Sequence, residues 1–287
     1  MKYGFIREHA AEYPVRRQCR ALGVAESGYY VWRQGQVSQR QQADAQLLDE
    51  IQAIYRRNRC LYGSPRIHAE LKKQGWHCGR KRVARLMRHA HLRSVRRGRR
   101  RFQTTDSKHS HPVVTNVLDR QFEAQQPNQK WVADITYIPT QAGWLYLAAV
   151  LDLFSRRIVG WAMSAQCDAA LTQKALHMAL SQRQPTGDLL HHSDRGSQYA
   201  AHAYQALLAQ HRITVSMSRK GNCYDNAAME TFFRTLKAEC VDLHVFRSRT
   251  HARSVIFEFL EVYYNRQRLH STLGYCTPAA FEAAFTL

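Results

Sequence analysis

No stretch of this sequence is apolar for long enough to cross a membrane. The longest apolar run, Leu145 to Leu151, falls far short of the roughly 20 residues that a spanning helix needs. The start, MKYGFIREHAAEY, has no apolar signal-peptide core. No C-x-x-C occurs, and the seven cysteines (19, 60, 78, 167, 223, 240 and 276) are odd in number and scattered. That pattern indicates neither a disulfide framework nor a zinc knuckle, and it fits a reducing, cytoplasmic setting. His77-Cys78 and His191-His192 lack the spaced partners of a zinc site. A sustained heptad is missing too, so no leucine zipper is expected here. Acid is scarce beside base: 22 Asp and Glu stand against 42 Lys and Arg, a net charge of +20. Such an excess calls for a polyanionic partner, most naturally nucleic acid. With 45% hydrophobic residues the chain is not broadly disordered, and 287 residues suggest about two domains.

The positive charge is unevenly placed. Residues 1–125 carry 26 Lys and Arg against 10 acids, whereas residues 126–287 carry 16 against 12. Within 14–34, Val15, Cys19 and Leu22 space one short helix, with a second beyond Gly23. The pair reads either as a helix-turn-helix fragment or as a plain helical hairpin. Over 44–93 three helices are expected. Leu47, Ile51 and Ile54 mark the first. Ser64-Pro65 starts the second, which ends near Gly75. In the third, Val83, Leu86 and Met87 face inward, and Arg80, Lys81, Arg82, Arg85 and Arg88 occupy the other faces. This is the pattern of a DNA-binding helix-turn-helix, the alternative being a solvated basic face. From Arg80 to Arg101 there are eleven basic residues and no acid. Arg96, Arg97, Arg99, Arg100 and Arg101 have no helical apolar period and read as a phosphate-binding arm, inside a polar linker spanning 94–129.

An α/β domain follows over 130–245. Trp131 to Ile138 alternates as a strand, with Asp134 and Thr136 on one face. Trp144 to Leu153 and Arg156 to Ser164 complete an antiparallel meander. Ala169 to Ser181 reads as a helix, Leu189 to Ser193 as a buried strand ending at Asp194, Gln198 to Gln210 as a helix and Ile213 to Met217 as a fifth strand. The expected architecture is a mixed sheet with helices on both faces. Asn222 to Lys237 then reads as a helix, with Met229, Phe232, Phe233, Leu236 and Cys240 as its apolar stripe and Asn226, Glu230 and Lys237 elsewhere on its surface. Asp134, Asp194 and Glu230 come from three distant elements. Hard oxygen ligands of this kind can converge on two divalent cations and suit Mg2+ or Mn2+. A helical C-terminal extension occupies 246–287.

The words WVADITYIP, LDLFSRRIVGW, HSDRGSQY, GNCYDNAAMETFFRTLKAE and YYNRQRLHSTLGY occur in this order. Together they resemble the integrase-like transposases of bacterial insertion sequences, and more narrowly the downstream-frame (OrfB-type) proteins of insertion-sequence family three. The resemblance implies a ribonuclease-H-like core of the retroviral-integrase (DDE) type, with Asp134, Asp194 and Glu230 as catalytic and metal-holding acids and two Mg2+ or Mn2+ ions. It also implies a basic residue seven places beyond the glutamate, which falls on Lys237, assigned to a phosphate of the DNA end. The implied partners are element-terminal and target DNA, an upstream-frame (OrfA) product and further copies of the chain, on the bacterial nucleoid. Asp152 is expected to be structural or to support the metal-holding acids from behind. His192 and Gln198 position DNA or water, or else cap and pack. Asn226 shares the Glu230 face, where it can hydrogen-bond the site. Tyr264, Asn265, Arg266, Arg268 and His270 either contact DNA or clamp the core. Two rivals stand beside the transposase: a metal-dependent nuclease that cuts without joining, and a DNA-binding regulator with a dead core.

Overall fold

The computed structural model describes residues 1–35, 37–94, 113–219 and 222–286. Three short helices come first: α1 (Lys2–Glu8), α2 (Val15–Leu22) and α3 (Glu26–Arg33). They enclose Ile6, Cys19 and Tyr29. Gly23 ends α2 in the left-handed conformation (φ 61°), which glycine adopts without strain. The sequence signals α2 and α3 but not α1.

Helices α4 (Gln39–Arg57), α5 (Ser64–Lys73) and α6 (Arg80–His89) form a second cluster. Ser38 and Gln41 make a capping box that starts α4 five residues ahead of the expected boundary at 44. Ser64 is not the cap of α5. Gly63 holds that position, and Ser64-Pro65 form the first turn. The core holds the expected Leu47, Ile51, Ile54, Val83, Leu86 and Met87, and also Leu269 from the C-terminal region. Tyr62 donates its hydroxyl to the Gln267 carbonyl (3.2 Å) and accepts from the Leu269 amide (2.9 Å). Arg66 donates Nε to the Leu269 carbonyl (2.9 Å). Burying a leucine is worth about 1.5–3 kcal/mol, so this plug contributes materially to docking the helical unit on the rest.

The α/β unit is built on one sheet of order β3-β2-β1-β4-β5. Its strands are β1 (Lys130–Thr140), β2 (Gly143–Asp152), β3 (Ile158–Ser164), β4 (Leu190–Ser193) and β5 (Thr214–Met217). The first three form the antiparallel meander, and β4 and β5 join in parallel. Strand β3 starts two residues later than expected because Arg156 has a left-handed φ of 59° and cannot belong to a strand. Helices α7 (Ala169–Arg183), α8 (Ser197–Ala200) and α9 (His202–Gln210) cover one face. The expected single helix over 198–210 is broken at Ala201, which is extended (φ −58°, ψ 137°). The other face carries α10 (Ala227–Glu239) and α11 (Arg249–Glu258), followed by a π-helical turn, Phe259–Tyr264. A short 3-10 turn, Cys223–Asn226, precedes α10, so the helix proper begins later than the expected Asn222.

The last helix, α12 (Pro278–Thr286), is held through Glu282. This side chain accepts from Arg157 Nη1 (2.7 Å), Arg183 and Ser155 Oγ (3.3 Å). Burial alone would raise its pKa, but the two guanidinium groups outweigh burial and hold it below the usual range. A carboxylate depressed in the fold stabilises above its unfolded pKa, about 4.3, and that stability is lost as pH falls through the folded value. Acidification below roughly pH 4 is therefore expected to release α12 first. Glu282→Gln should remove this acid-sensitive step at a cost in melting temperature at pH 7. Limited proteolysis of the C-terminus across pH checks both outcomes.

Candidate active site

The acids are gathered by strand pairing. Along β1 side chains alternate, and Val132 and Ile138 face the α10 side while Trp131 and Ala133 face α7. Asp134 shares the parity of Val132 and so lies on the α10 side. Strands β1 and β4 pair in parallel, with Val132 opposite His192. Continuing that register by two residues sets Asp194, just beyond β4, alongside Asp134, about one strand spacing (~4.8 Å) away. Glu230 arrives in the first turn of α10. That helix is seated by the stripe expected of it: Met229, Phe232, Phe233 and Leu236 are all buried against the sheet. Asn226, at the cap of α10, donates Nδ2 to the Ala133 carbonyl (3.1 Å), one residue from Asp134.

The electrostatics show what this convergence costs. Asp134 is half-buried and its pKa is raised well above the carboxylate range, first by burial, then by Asp194, with Glu230 adding to it. Its Oδ1 accepts from the Ile135 amide (2.8 Å), and Asp194 Oδ1 accepts from the Gly196 amide (2.9 Å). Glu230 is exposed, and its pKa is raised by burial of its carboxyl against an opposing pull from Arg234. Lys237, half-buried, has its pKa lowered by burial, while Asp134 and Asp242 act to restore it. The ammonium therefore stands in the field of Asp134. Among the described residues, no three His, Cys, Asp or Glu side chains draw close enough to enclose an ion by themselves. The donor set is nonetheless all oxygen, and the mutual repulsion carried by Asp134 is what bound divalent cations would relieve.

Several neighbours resolve into structural parts. Asp152 is fully buried and accepts from the Asn128 and Phe154 amides and from Trp131 Nε1. His192 is buried between the hydroxyls of Ser216 (2.8 Å) and Ser218 (3.1 Å). Burial pushes its pKa down to about 4, so it remains a neutral packing group. Gln198 donates to the Cys167 carbonyl (3.1 Å). Asn265 bonds both the amide and the carbonyl of Ile158 (3.0 Å each), completing the edge of β3. Tyr264 and His270 are buried, and burial takes His270 down to about 3.

Arg268 is corrected from the DNA-contact set. It is 6% exposed, and its Nε and Nη2 are bonded to Glu239 at 2.6 and 2.7 Å, so its guanidinium is turned inward to the end of α10. Arg266 is exposed. On α6, Arg80, Lys81 and Arg85 are exposed and Arg82 is half-buried; Arg82 and Arg85 both pair with Asp44, at 2.7 and 2.5 Å. Arg96, Arg97, Arg99, Arg100 and Arg101 lie outside the described residues.

One group was not singled out from sequence. Asp225 is fully buried and accepts from Asn116 Nδ2 (3.0 Å), Arg120 Nε (3.0 Å) and the Arg219 amide, Nε and Nη2 (2.9 Å each). These bonds hold its pKa far below the usual range, with Arg219 the largest cause. The cluster ties the turn before α10 to the segment leading into the sheet. No periodicity marks Asp225: Arg219 lies six residues before it, but Asn116 and Arg120 come from more than a hundred residues away.

Sheet order and flanking helices define a ribonuclease-H-like core of the integrase type, carried behind a helix-turn-helix region. Family comparison agrees: "Integrase core domain" matches residues 124–223 and again 211–278, and "HTH-like domain" matches 41–100. An uncharacterized 31 kDa protein of insertion element IS600 from Shigella sonnei is 47% identical over 93% of this chain and 98% of its own. Transposase InsF for insertion sequence IS3A of Escherichia coli (strain K12) is 44% identical over 98% of both chains. Among solved structures, the HTLV-2 integrase catalytic core domain in complex with magnesium aligns with TM-score 0.39 and 15% identity, covering 56% of this chain and 99% of that one. The chain belongs to the IS3 family of bacterial insertion-sequence transposases. Among the described residues no helix is long and apolar enough to cross a membrane.

Proposed function

We propose that this transposase cuts the ends of its insertion sequence and joins the exposed 3′-OH to a second phosphodiester, with Asp134, Asp194 and Glu230 holding two Mg2+ or Mn2+ ions. The observation that carries this is the placement of Asp134, half-buried at the sheet centre, in the field of both other acids. When bound, the ions would stabilise charge on the attacking and leaving oxygens. The short aspartates are fixed by strands and their own backbone bonds, and the longer glutamate reaches in from a helix that packing makes rigid. No side-chain nucleophile is required, so no covalent protein–DNA intermediate forms. Exposed Arg80, Lys81, Arg85 and Arg266, with Arg82, take backbone phosphates, as do the arm arginines 96, 97, 99, 100 and 101. Pairing two element ends requires more than one copy, and an upstream-frame product, as fusion or partner, contributes to that pairing. The work is done in the cytoplasm, on nucleoid DNA.

The test is strand transfer on labelled terminal-repeat DNA, with the purified chain alone and fused to the upstream-frame product. Mg2+-dependent joined products are expected, and chelation should abolish them. Cut ends with no joined product would instead make this a nuclease. DNA binding with no metal-dependent product at all would make it a regulator.

Lys237 is assigned to a phosphate of the DNA end. An ammonium has no lone pair for a metal, and its place in the Asp134 field suits it to hold the DNA that brings the reacting phosphate there. Lys237→Ala should slow joining at subsaturating DNA by roughly ten-fold or more, and Lys237→Arg should retain much of the rate. An unchanged rate in Lys237→Ala would return the residue to a structural role beside Asp134.

A further inference from the structure

The turn before α10 combines a rigid base with an uncovered ring. Asp225 is fully buried, locked by three side chains and a backbone amide. Its neighbour Tyr224 is 68% exposed, the most exposed aromatic side chain among the described residues. Asn222 Oδ1 accepts from the Tyr224 amide (3.2 Å), so the backbone under the ring is fixed from both sides. The guanidinium of Arg120 stands 5.9 Å from the centre of the ring, and its Nε is bonded to Asp225 at 3.0 Å. The guanidinium is thus held over the ring, and Tyr224 stands six residues ahead of Glu230 in the chain.

We propose that Tyr224 and Arg120 form a stacking subsite for one unpaired base of the DNA end, next to the reacting phosphate. Exposing a large ring on a hydrogen-bonded turn forfeits burial, and neither folding nor the packing of α10 needs it. The charges beneath the ring are balanced, because Arg120 and Arg219 pair with Asp225 and Asp119. What the site offers is therefore an uncovered π surface with a planar cation held over it at 5.9 Å, which suits a nucleobase better than a bare phosphate. A base inside a duplex has both faces covered, so only an unpaired one can take this place. The scissile phosphate has to approach Asp134, which is half-buried in the sheet, and opening the terminal base pairs makes that approach narrower than a full duplex.

The subsite rests on the reading that the chain works on DNA ends, and its test is independent of turnover. The full chain is mixed, without divalent metal, with terminal-repeat duplexes carrying 2-aminopurine at each of the last three positions, either paired or left unpaired. With the wild type, one unpaired position should show quenched fluorescence. Tyr224→Phe and Tyr224→Trp should keep the quenching. Tyr224→Ala should abolish it and weaken binding of the frayed end roughly ten-fold, while binding of fully paired internal repeat DNA and the melting temperature stay unchanged. Equal fluorescence and affinity in Tyr224→Ala and wild type would overturn the subsite. So would a change of oligomeric state in Tyr224→Ala with quenching intact, which would assign the ring to a protein contact. Mg2+-dependent joining by the wild type is measured separately: quenching without joining keeps the subsite and removes the proposed reaction.

Discussion

Asp134→Asn should lower Mg2+-dependent cleavage and joining by at least about a thousand-fold, equivalent to roughly 4 kcal/mol of transition-state stabilisation, while DNA binding remains. The amide keeps the shape of the carboxylate but not the charge that a cation requires. Asp194→Asn and Glu230→Gln should behave alike if the three act as a unit. The substitution also makes a second, opposite prediction. In the metal-free protein Asp134 is strained by burial and by Asp194 and Glu230. Removing its charge relieves that strain, so metal-free Asp134→Asn should melt at or above the wild-type temperature at neutral pH. Loss of activity with a raised or equal melting temperature separates a catalytic role from misfolding. Near-normal turnover would remove Asp134 from the site.

The largest structural effect is expected at Gly160. It lies on β3 opposite Val150, where α7 packs against the sheet. A Cβ there would come within 2.3 Å of the Ala175 carbonyl oxygen and 2.7 Å of both the amide nitrogen and Cβ of Ala179. Two of these atoms belong to helix backbone, so no side chain can rotate away, and α7 as a whole must lift. Replacing glycine by alanine ordinarily stabilises by about 0.4–1 kcal/mol through the unfolded chain, but overpacking at three such contacts outweighs it. Gly160→Ala should cost about 3 kcal/mol or more, lowering the melting temperature by roughly 6–12 °C. Gly160→Val should yield no soluble folded protein. Circular dichroism melts and urea midpoints check this, and a wild-type midpoint in Gly160→Ala would show that α7 is not tightly held there.

Much of the framework is legible in the residues themselves. The stripe of Met229, Phe232, Phe233 and Leu236 predicts a helix docked by one face, and all four are buried. The alternation through Asp134 places it on the face that α10 covers. Helix starts are read less well. Ser64 looks like a cap, yet Gly63 takes that position, because a cap depends on backbone angles as well as on the side chain. The break at Ala201 has no glycine or proline to announce it. Arg268 shows the limit for charged residues. A basic side chain in a polar word reads as a DNA contact, but its partner Glu239 lies 29 residues earlier, and that pairing exists only once α10 and the C-terminal loop are packed.

By itself, then, the sequence determined the order and type of the main elements, the uneven positive charge and the motif words that carry Asp134, Asp194 and Glu230. Each of these depends on local periodicity, on composition or on residue identity. The tertiary structure alone decided that Arg268 turns inward, that Leu269 plugs the helical unit, that Asp225 locks the turn before α10 to Asn116 and Arg120, and that Tyr224 is left uncovered on it. These are matters of which distant groups meet and which do not. A buried charge finds its counter-charge wherever folding brings one, often a hundred residues away, and no local pattern records that meeting.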